Sequence, residues 1–313
     1  MWEKIIIALL PLGLVIAACG LFTALIEGWK WLQRRERRRA PFCQDFLREP
    51  GHSLRVAFDD ISVDFHLYLC ALAYSPLILF LFGWLYRDAK ILTGRVELAT
   101  YIVFCLVLLS VLSRKIVRTM EQRKRCQLGL EGEIATAQEL MPVIRKGYWV
   151  FHDIPMDGPA NIDHVVVGPS GVYALETKAR RKPTNRKEKD SAKVVFDGQL
   201  RFPGWDESKP LEQARGQAEW LTKWIWKAAG EDVKAKPILV LPGWFIERTK
   251  PSTVFIINPK NLEKVLAPAN PREPLSEETI RRIVHQLDQR CRDVVPGFRS
   301  SEPDKPESVF TGK

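Results

Sequence analysis

No CxxC pair, no HExxH helix, no GxSxG elbow and no glycine-rich phosphate loop occurs in the 313 residues. Without these spacings there is no ligand set for a zinc ribbon or a zincin, no strained serine nucleophile and no P-loop cradle. The six cysteines, at 19, 43, 70, 105, 126 and 291, are scattered, and a disulfide framework is not expected. Charge is missing too, but only locally. The runs 5–26, 67–86 and 98–112 hold no Asp, Glu, Lys or Arg, although 27% of the chain is charged. A mean hydropathy of −0.13 therefore averages two unlike regions, an apolar first third and a polar remainder.

Runs of this length suit the roughly 30 Å hydrocarbon layer. They predict an α-helical membrane region, residues 1–113, with about three spans at 5–26, 67–86 and 96–112. The bare spans offer no ionisable side chain to mark an ion pathway, which argues against a transporter. “IAAC” at 16–19 resembles a lipoprotein cleavage box, but the apolar run continues to Ile26 and ends in an arginine cluster, as a spanning anchor does. Basic residues set the orientation. Fourteen lie on one side: Lys30, Arg34, Arg35, Arg37, Arg38, Arg39, Arg48 and Arg55 between the first two runs, and Arg114, Lys115, Arg118, Arg123, Lys124 and Arg125 after the third. Four lie on the other, Lys4, Arg87, Lys90 and Arg95. The expected topology is a multi-pass protein of the inner (cytoplasmic) membrane, N-terminus out, with everything after Arg114 in the cytoplasm.

Residues 114–127 read as a basic juxtamembrane linker, 128–298 as a folded domain and 299–313, rich in Pro, Ser and charge, as a disordered tail. From Arg114 to Lys313 there are 35 Lys and Arg against 27 Asp and Glu, an excess that favours an anionic partner, lipid headgroups or nucleic acid. The pattern in the domain is a helix over about 130–146, extended segments at 148–154, 161–167 and 172–178, and a hairpin over 193–202 turning at Asp197-Gly198. A helix from Pro210 to about Lys227, strands at 237–242 and 253–258, and a C-terminal helix with a stripe of Ile280, Ile283, Val284, Leu287 and Cys291 complete it. This is mixed α/β with a small central sheet.

The segment “NIDHVVVGPSGVYALETKARR”, 161–181, puts acids where a buried hairpin should be apolar. With the turn at Gly168–Gly171, opposed positions sum to 339, so Asp163 faces Glu176. Strand alternation places Lys178 on the face of Glu176 and turns Thr177 away. Opposed like charges are destabilising, and something cationic is needed between them. One arrangement is a divalent cation on the two carboxylates, Mg²⁺ or Mn²⁺, with Lys178 beside a reacting phosphate. The other is a surface ion-pair ladder in which Lys178 merely offsets the acids. On the first helix, Glu133 shares the face of Leu130, Ala137 and Leu140 and so aims a third acid at the sheet, at a cost unless a cation or water meets it.

The residues “GLEGE” (129–133), “NIDHVVVGPSGVYALETKA” (161–179) and “KPLEQARGQAEWL” (209–221) together resemble the nuclease-related domain, NERD, of the PD-(D/E)xK nuclease superfamily, over roughly 127–245. The resemblance implies a restriction-endonuclease-like mixed sheet flanked by helices. It implies Asp163 and Glu176 as metal ligands, Lys178 as the catalytic lysine, Glu133 as the helix-borne acid and Gln213 as the glutamine for phosphate or water. It further implies a metal-dependent deoxyribonuclease, with a non-cleaving DNA-binding or docking protein of the same fold as the alternative. Beside the motif, “KARRKPTNRKEKDSAK” (178–193) holds eight basic and two acidic residues. Within it Arg180, Arg181, Lys182, Arg186 and Lys187 are the candidates for a nucleic-acid backbone, a solvated loop being the plainer assignment. His164 turns to the face opposite Asp163 and reads as a core histidine, His152-Asp153 is too short a constellation to assign, and Trp220 with Trp224 reads as helix packing.

Overall fold

The computed structural model describes residues 20–29, 44–88, 95–183, 192–271 and 273–296. The chain divides into two compact units, one of Met1–Cys43, Ser62–Glu121 and Phe298–Lys313, the other of Gln44–Ile61 and Gln122–Gly297.

The second and third apolar runs are helical. Helix α1 spans His52–Asp88 and α2 spans Arg95–Arg145. Among the described residues these are two helices long and apolar enough, by length and composition, to cross a membrane, over His52–Leu81 and Leu98–Arg145. Most of the expected first span, 5–26, lies outside the described residues, of which only 20–29 are helical there. The stretch 114–127, expected as a linker, is instead helical: α2 runs through it without interruption. Its residues, mostly Arg, Lys, Gln, Glu and Met, are good helix formers with no glycine before Gly129, so nothing stops the helix.

The second unit is built on a five-stranded mixed sheet. Its strands are β2 (Trp149–Pro155), β3 (Asn161–Gly168), β4 (Gly171–Thr177), β8 (Ala235–Val240) and β10 (Phe255–Ile257), in the order β10-β8-β4-β3-β2. The β2–β3 and β3–β4 pairs are antiparallel, while β4–β8 and β8–β10 are parallel. A second sheet, ordered β7-β6-β5-β9, comprises β5 (Lys193–Phe196), β6 (Leu200–Phe202), β7 (Trp205–Glu207) and β9 (Phe245–Arg248). The β5–β6 hairpin turns at Gly198, φ +121°, a conformation that suits glycine.

Period-two alternation divides the large sheet between two helical layers. Val165, Val167, Val172 and Ala174 face α3 (Lys209–Ala229) and α5 (Glu277–Cys291), meeting Ala218, Leu221, Ile225, Ile283 and Leu287. Val166, Tyr173, Leu175, Ile238 and Val240 face the end of α2, through Leu140 and Val143, and the short α4 (Leu262–Leu266). Strand β1 (Phe46–Leu47) pairs antiparallel with β11 (Arg292–Val294). The segment Gln44–Ile61, assigned from the sequence to the membrane region, thus belongs to the α/β unit, and the domain boundary at 113/114 is corrected accordingly.

Candidate functional site

Two features of the β3–β4 hairpin aim its charges. The opposed pairs Val165↔Ala174 and Val167↔Val172 have the expected register, and the ladder ends at His164↔Leu175, one step short of Asp163 and Glu176. In place of that last rung, the Thr177 amide donates to Asp163 Oδ2 at 2.6 Å. Beyond the hairpin the Lys178 amide donates to Val240 O at 2.9 Å, so Lys178 stays in line with the strand. Its Nζ forms an ion pair with Glu176 Oε1. Thr177 points the other way, its hydroxyl toward Thr136 on α2 at 3.3 Å.

Glu133, on α2, is near enough for its charge to act on Asp163 and to feel Glu176 and Lys178. Glu133, Asp163 and Glu176 are all buried, and Lys178 is the adjoining cation, with a quarter of its side chain exposed. Burial is the largest cause raising Glu133, to about 7, followed by the negative charges of Asp153 and Glu176. Lys178 and the Gly51 amide act in the opposite direction. Asp163 is raised well above the ordinary aspartate range, first by burial, then by Glu176 and Glu133, with the Thr177 amide and Lys178 opposing. Three acids against one ammonium leave the cluster short of positive charge. Glu133 Oε2 is buried without a hydrogen-bond partner, and Glu176 Oε1 meets Lys178 as an ion pair without hydrogen-bond geometry.

The glutamine at the site is Gln217, which corrects the expectation for Gln213. Gln213 is exposed. Gln217 lies on the buried stripe of α3 with Ala214, Ala218 and Leu221, and its Nε2 donates to Glu176 Oε2 and, at 3.0 Å, to Asn161 O. The stripe was visible in the sequence, and following it would have selected 217 over 213.

Of the basic candidates, Arg181 and Lys182 are exposed, and Lys182 Nζ sits 5.8 Å from the centre of the Trp244 ring. Arg180 is committed elsewhere: Nε and Nη2 bind Glu207 at 2.8 and 2.9 Å. A side chain held in that fork is not free for phosphate, and its assignment to backbone contact is corrected. Arg186 and Lys187 lie outside the described residues.

Sequence reasoning missed Asp153. Fully buried on β2 with φ +51°, it binds Arg48 Nη1 at 2.9 Å, Ser53 Oγ at 2.6 Å and Asn161 Nδ2 at 2.5 Å. Arg48 and Ser53 come from a segment far away in sequence, which no local pattern connects to β2. His164 is a core histidine, its Nδ1 2.9 Å from His152 Nδ1, and burial is the main cause depressing both rings.

Among the described residues, no group of three or more His, Cys, Asp and Glu stands at metal-binding spacing. Residues 128–242 match the nuclease-related domain family, NERD. No curated protein and no solved structure matches the chain. The matched range begins before Glu133 and ends after β8, so it contains the carboxylate cluster, Lys178 and Gln217, and it points to a nuclease-like or nucleic-acid-directed domain.

Proposed function

We propose that this protein is a membrane-anchored, cytoplasm-facing, divalent-metal-dependent nuclease of PD-(D/E)xK type that hydrolyses DNA phosphodiester bonds. The observation that carries the reading is the charge deficit of the cluster. Buried Glu133, Asp163 and Glu176 have one adjoining ammonium, Lys178, and two of the acids are pushed toward their protonated forms. Keeping such a group of acids in a core is costly unless a cation is to join them. The donors suit a hard ion: Asp163 and Glu176 would hold Mg²⁺ or Mn²⁺, which use one or two carboxylates and complete their shell with water and phosphate oxygens. When bound, the ion supplies Lewis-acid polarisation of the phosphodiester and acidification of a water.

The chain's own residues do the rest. The Thr177 amide fixes Asp163 and Gln217 fixes Glu176, so neither carboxylate has to find its orientation as substrate arrives. Lys178 keeps a positive charge beside the point where phosphate charge develops. Glu133, on α2, would offer its unpartnered Oε2 to a water beside the other two acids. The positive excess of the cytoplasmic region and the exposed Arg181 and Lys182 support a nucleic-acid partner, with the bilayer as the second. The asymmetry of basic residues around the apolar runs supports the orientation.

Two observations favour the alternative, a non-cleaving DNA-docking protein of the same fold. No three-ligand group occurs among the described residues, and Lys178 and Gln217 already engage both oxygens of Glu176. One experiment separates the readings. The full chain, purified in detergent, is incubated with plasmid and linear DNA and Mg²⁺ or Mn²⁺. Cutting that chelation stops is the expected result. Salt-sensitive binding without cutting under either metal would establish the docking reading instead.

A further inference from the structure

We infer that the segment Gln44–Ser53 is a working part of the candidate site, with Arg48 as a positioning residue that holds the turn at Gly51 against Glu133. The site is then complete only when the chain before and after the apolar stretch Ser62–Glu121, that is Gln44–Ile61 and Gln122–Gly297, meets on one side of the bilayer. Only the catalytic consequence rests on the nuclease reading.

The segment is fastened at both ends. Before the turn, β1 lies on β11 with Phe46 opposite Val294, and the Arg48 amide donates to Cys291 O at 3.0 Å. The Arg48 guanidinium then grips two elements at once. Nε and Nη2 form a fork on Asp293, 2.8 and 2.7 Å, while Nη1 binds both the carboxylate and the carbonyl of Asp153, 2.9 and 3.1 Å. A positive φ is unfavourable for an aspartate, and this double contact on one residue is what over-determines it. After the turn, Ser53 Oγ returns to Asp153 Oδ2 at 2.6 Å, and Leu54 O accepts from Cys126 Sγ at 3.1 Å.

Between these fastenings the chain has nowhere to go but against α2. Gly51 has φ +71°, and a Cβ there would stand 2.4 Å from Leu130 Cδ1 and 3.7 Å from Glu133 Oε2. Glycine is needed for the backbone to come this close to the acid-bearing turn. Asp153 is one of the charges acting on Glu133, so Arg48, by compensating Asp153, also sets the field in which Glu133 sits. Lysine could supply the charge but not the fork that spans Asp153 and Asp293.

The arrangement is tested on the full chain in detergent, first without reference to activity. In a chain whose native cysteines are changed to alanine, Phe46→Cys with Val294→Cys should oxidise to an intramolecular disulfide, and either single variant should not. Arg48→Met should lower the melting temperature, and Arg48→Lys should restore part of the loss. Absence of the disulfide, or a melting temperature unmoved by Arg48→Met, overturns the assembly. For catalysis, Arg48→Met, assayed at a temperature where it remains folded, should lower kcat for DNA cleavage at least tenfold with KM within twofold, and Arg48→Lys should recover several-fold. Unchanged kcat in folded Arg48→Met overturns the positioning role. A wild type that never cuts overturns the nuclease reading alone, since the disulfide and melting results still decide the assembly.

Discussion

Asp153 and Asp163 sit on neighbouring strands, at the step where the β2–β3 pairing passes from His152↔His164 to Ile154↔Ile162. Both are buried. Asp153 is fully served: a guanidinium, a hydroxyl and an amide converge on its two oxygens. Asp163 accepts from one backbone amide and otherwise faces Glu176 and Glu133. The acid whose charge the fold compensates has a structural partner, whereas Asp163 is left short of a cation, as the proposed metal-ligand role requires. The difference is chemical and does not follow from burial, which the two residues share.

Substitution should break this symmetry in opposite directions. Asp153→Ala leaves Arg48 in a half-buried position without its inner partner and should cost about 3–5 kcal/mol, read as a large fall in the denaturation midpoint of the full chain. Asp163→Asn keeps an acceptor for the Thr177 amide and removes a repelled charge, so its midpoint at pH 8 should equal or exceed that of wild type. Its DNA cleavage should nonetheless fall by about 10²–10³-fold or more, as Glu176→Ala and Lys178→Ala should. An Asp163→Asn protein that melts early while still cutting would reverse the assignment of the two aspartates.

Glu133 sharpens the comparison through pH. Its folded-state pKa is raised from an ordinary 4.5 to about 7, so the folded protein holds this proton more tightly than the unfolded chain does. Stability is therefore lost as pH rises from about 4.5 to about 7. Glu133→Gln removes the loss. The variant should match wild type near pH 4 and gain on it up to pH 8, by at most about 3 kcal/mol. Saturating Mg²⁺ should shrink the gain, because a cation bound beside Glu133 stabilises its charged form. A gain independent of pH would mean that Glu133 does not titrate in this window.

The hairpin was legible in the sequence because strand alternation and a glycine turn constrain register tightly: the 339 register holds as far as His164↔Leu175, Lys178 meets Glu176 and Thr177 turns to α2. The helix-borne acid was legible from the stripe of Leu130, Ala137 and Leu140. What stayed hidden is long-range. Strands β7 and β9 are short edge elements whose pairing partners, not their own residues, make them strands. Arg48 lies among basic residues that announce membrane topology, and only the fold shows that it meets Asp153, 105 positions later. The linker at 114–127 was misjudged because charge suggested solvent exposure, and an exposed charged segment is equally compatible with a helix.

The smallest effect concerns two glutamines one turn apart on α3. Gln217 donates to Glu176 and to Asn161 O, which ties the helix to the hairpin at the acid itself. Gln217→Ala should cost about 1.5–3 kcal/mol, the usual range for losing a hydrogen bond to a charged partner. With Glu176 then oriented by Lys178 alone, cleavage should fall about tenfold. Gln213, exposed just outside the buried stripe, should tolerate Ala with less than about 0.5 kcal/mol of change and full activity. Both are read from denaturation midpoints and single-turnover rates of the full chain. If the two substitutions exchange their effects, Glu176 is oriented by something other than Gln217.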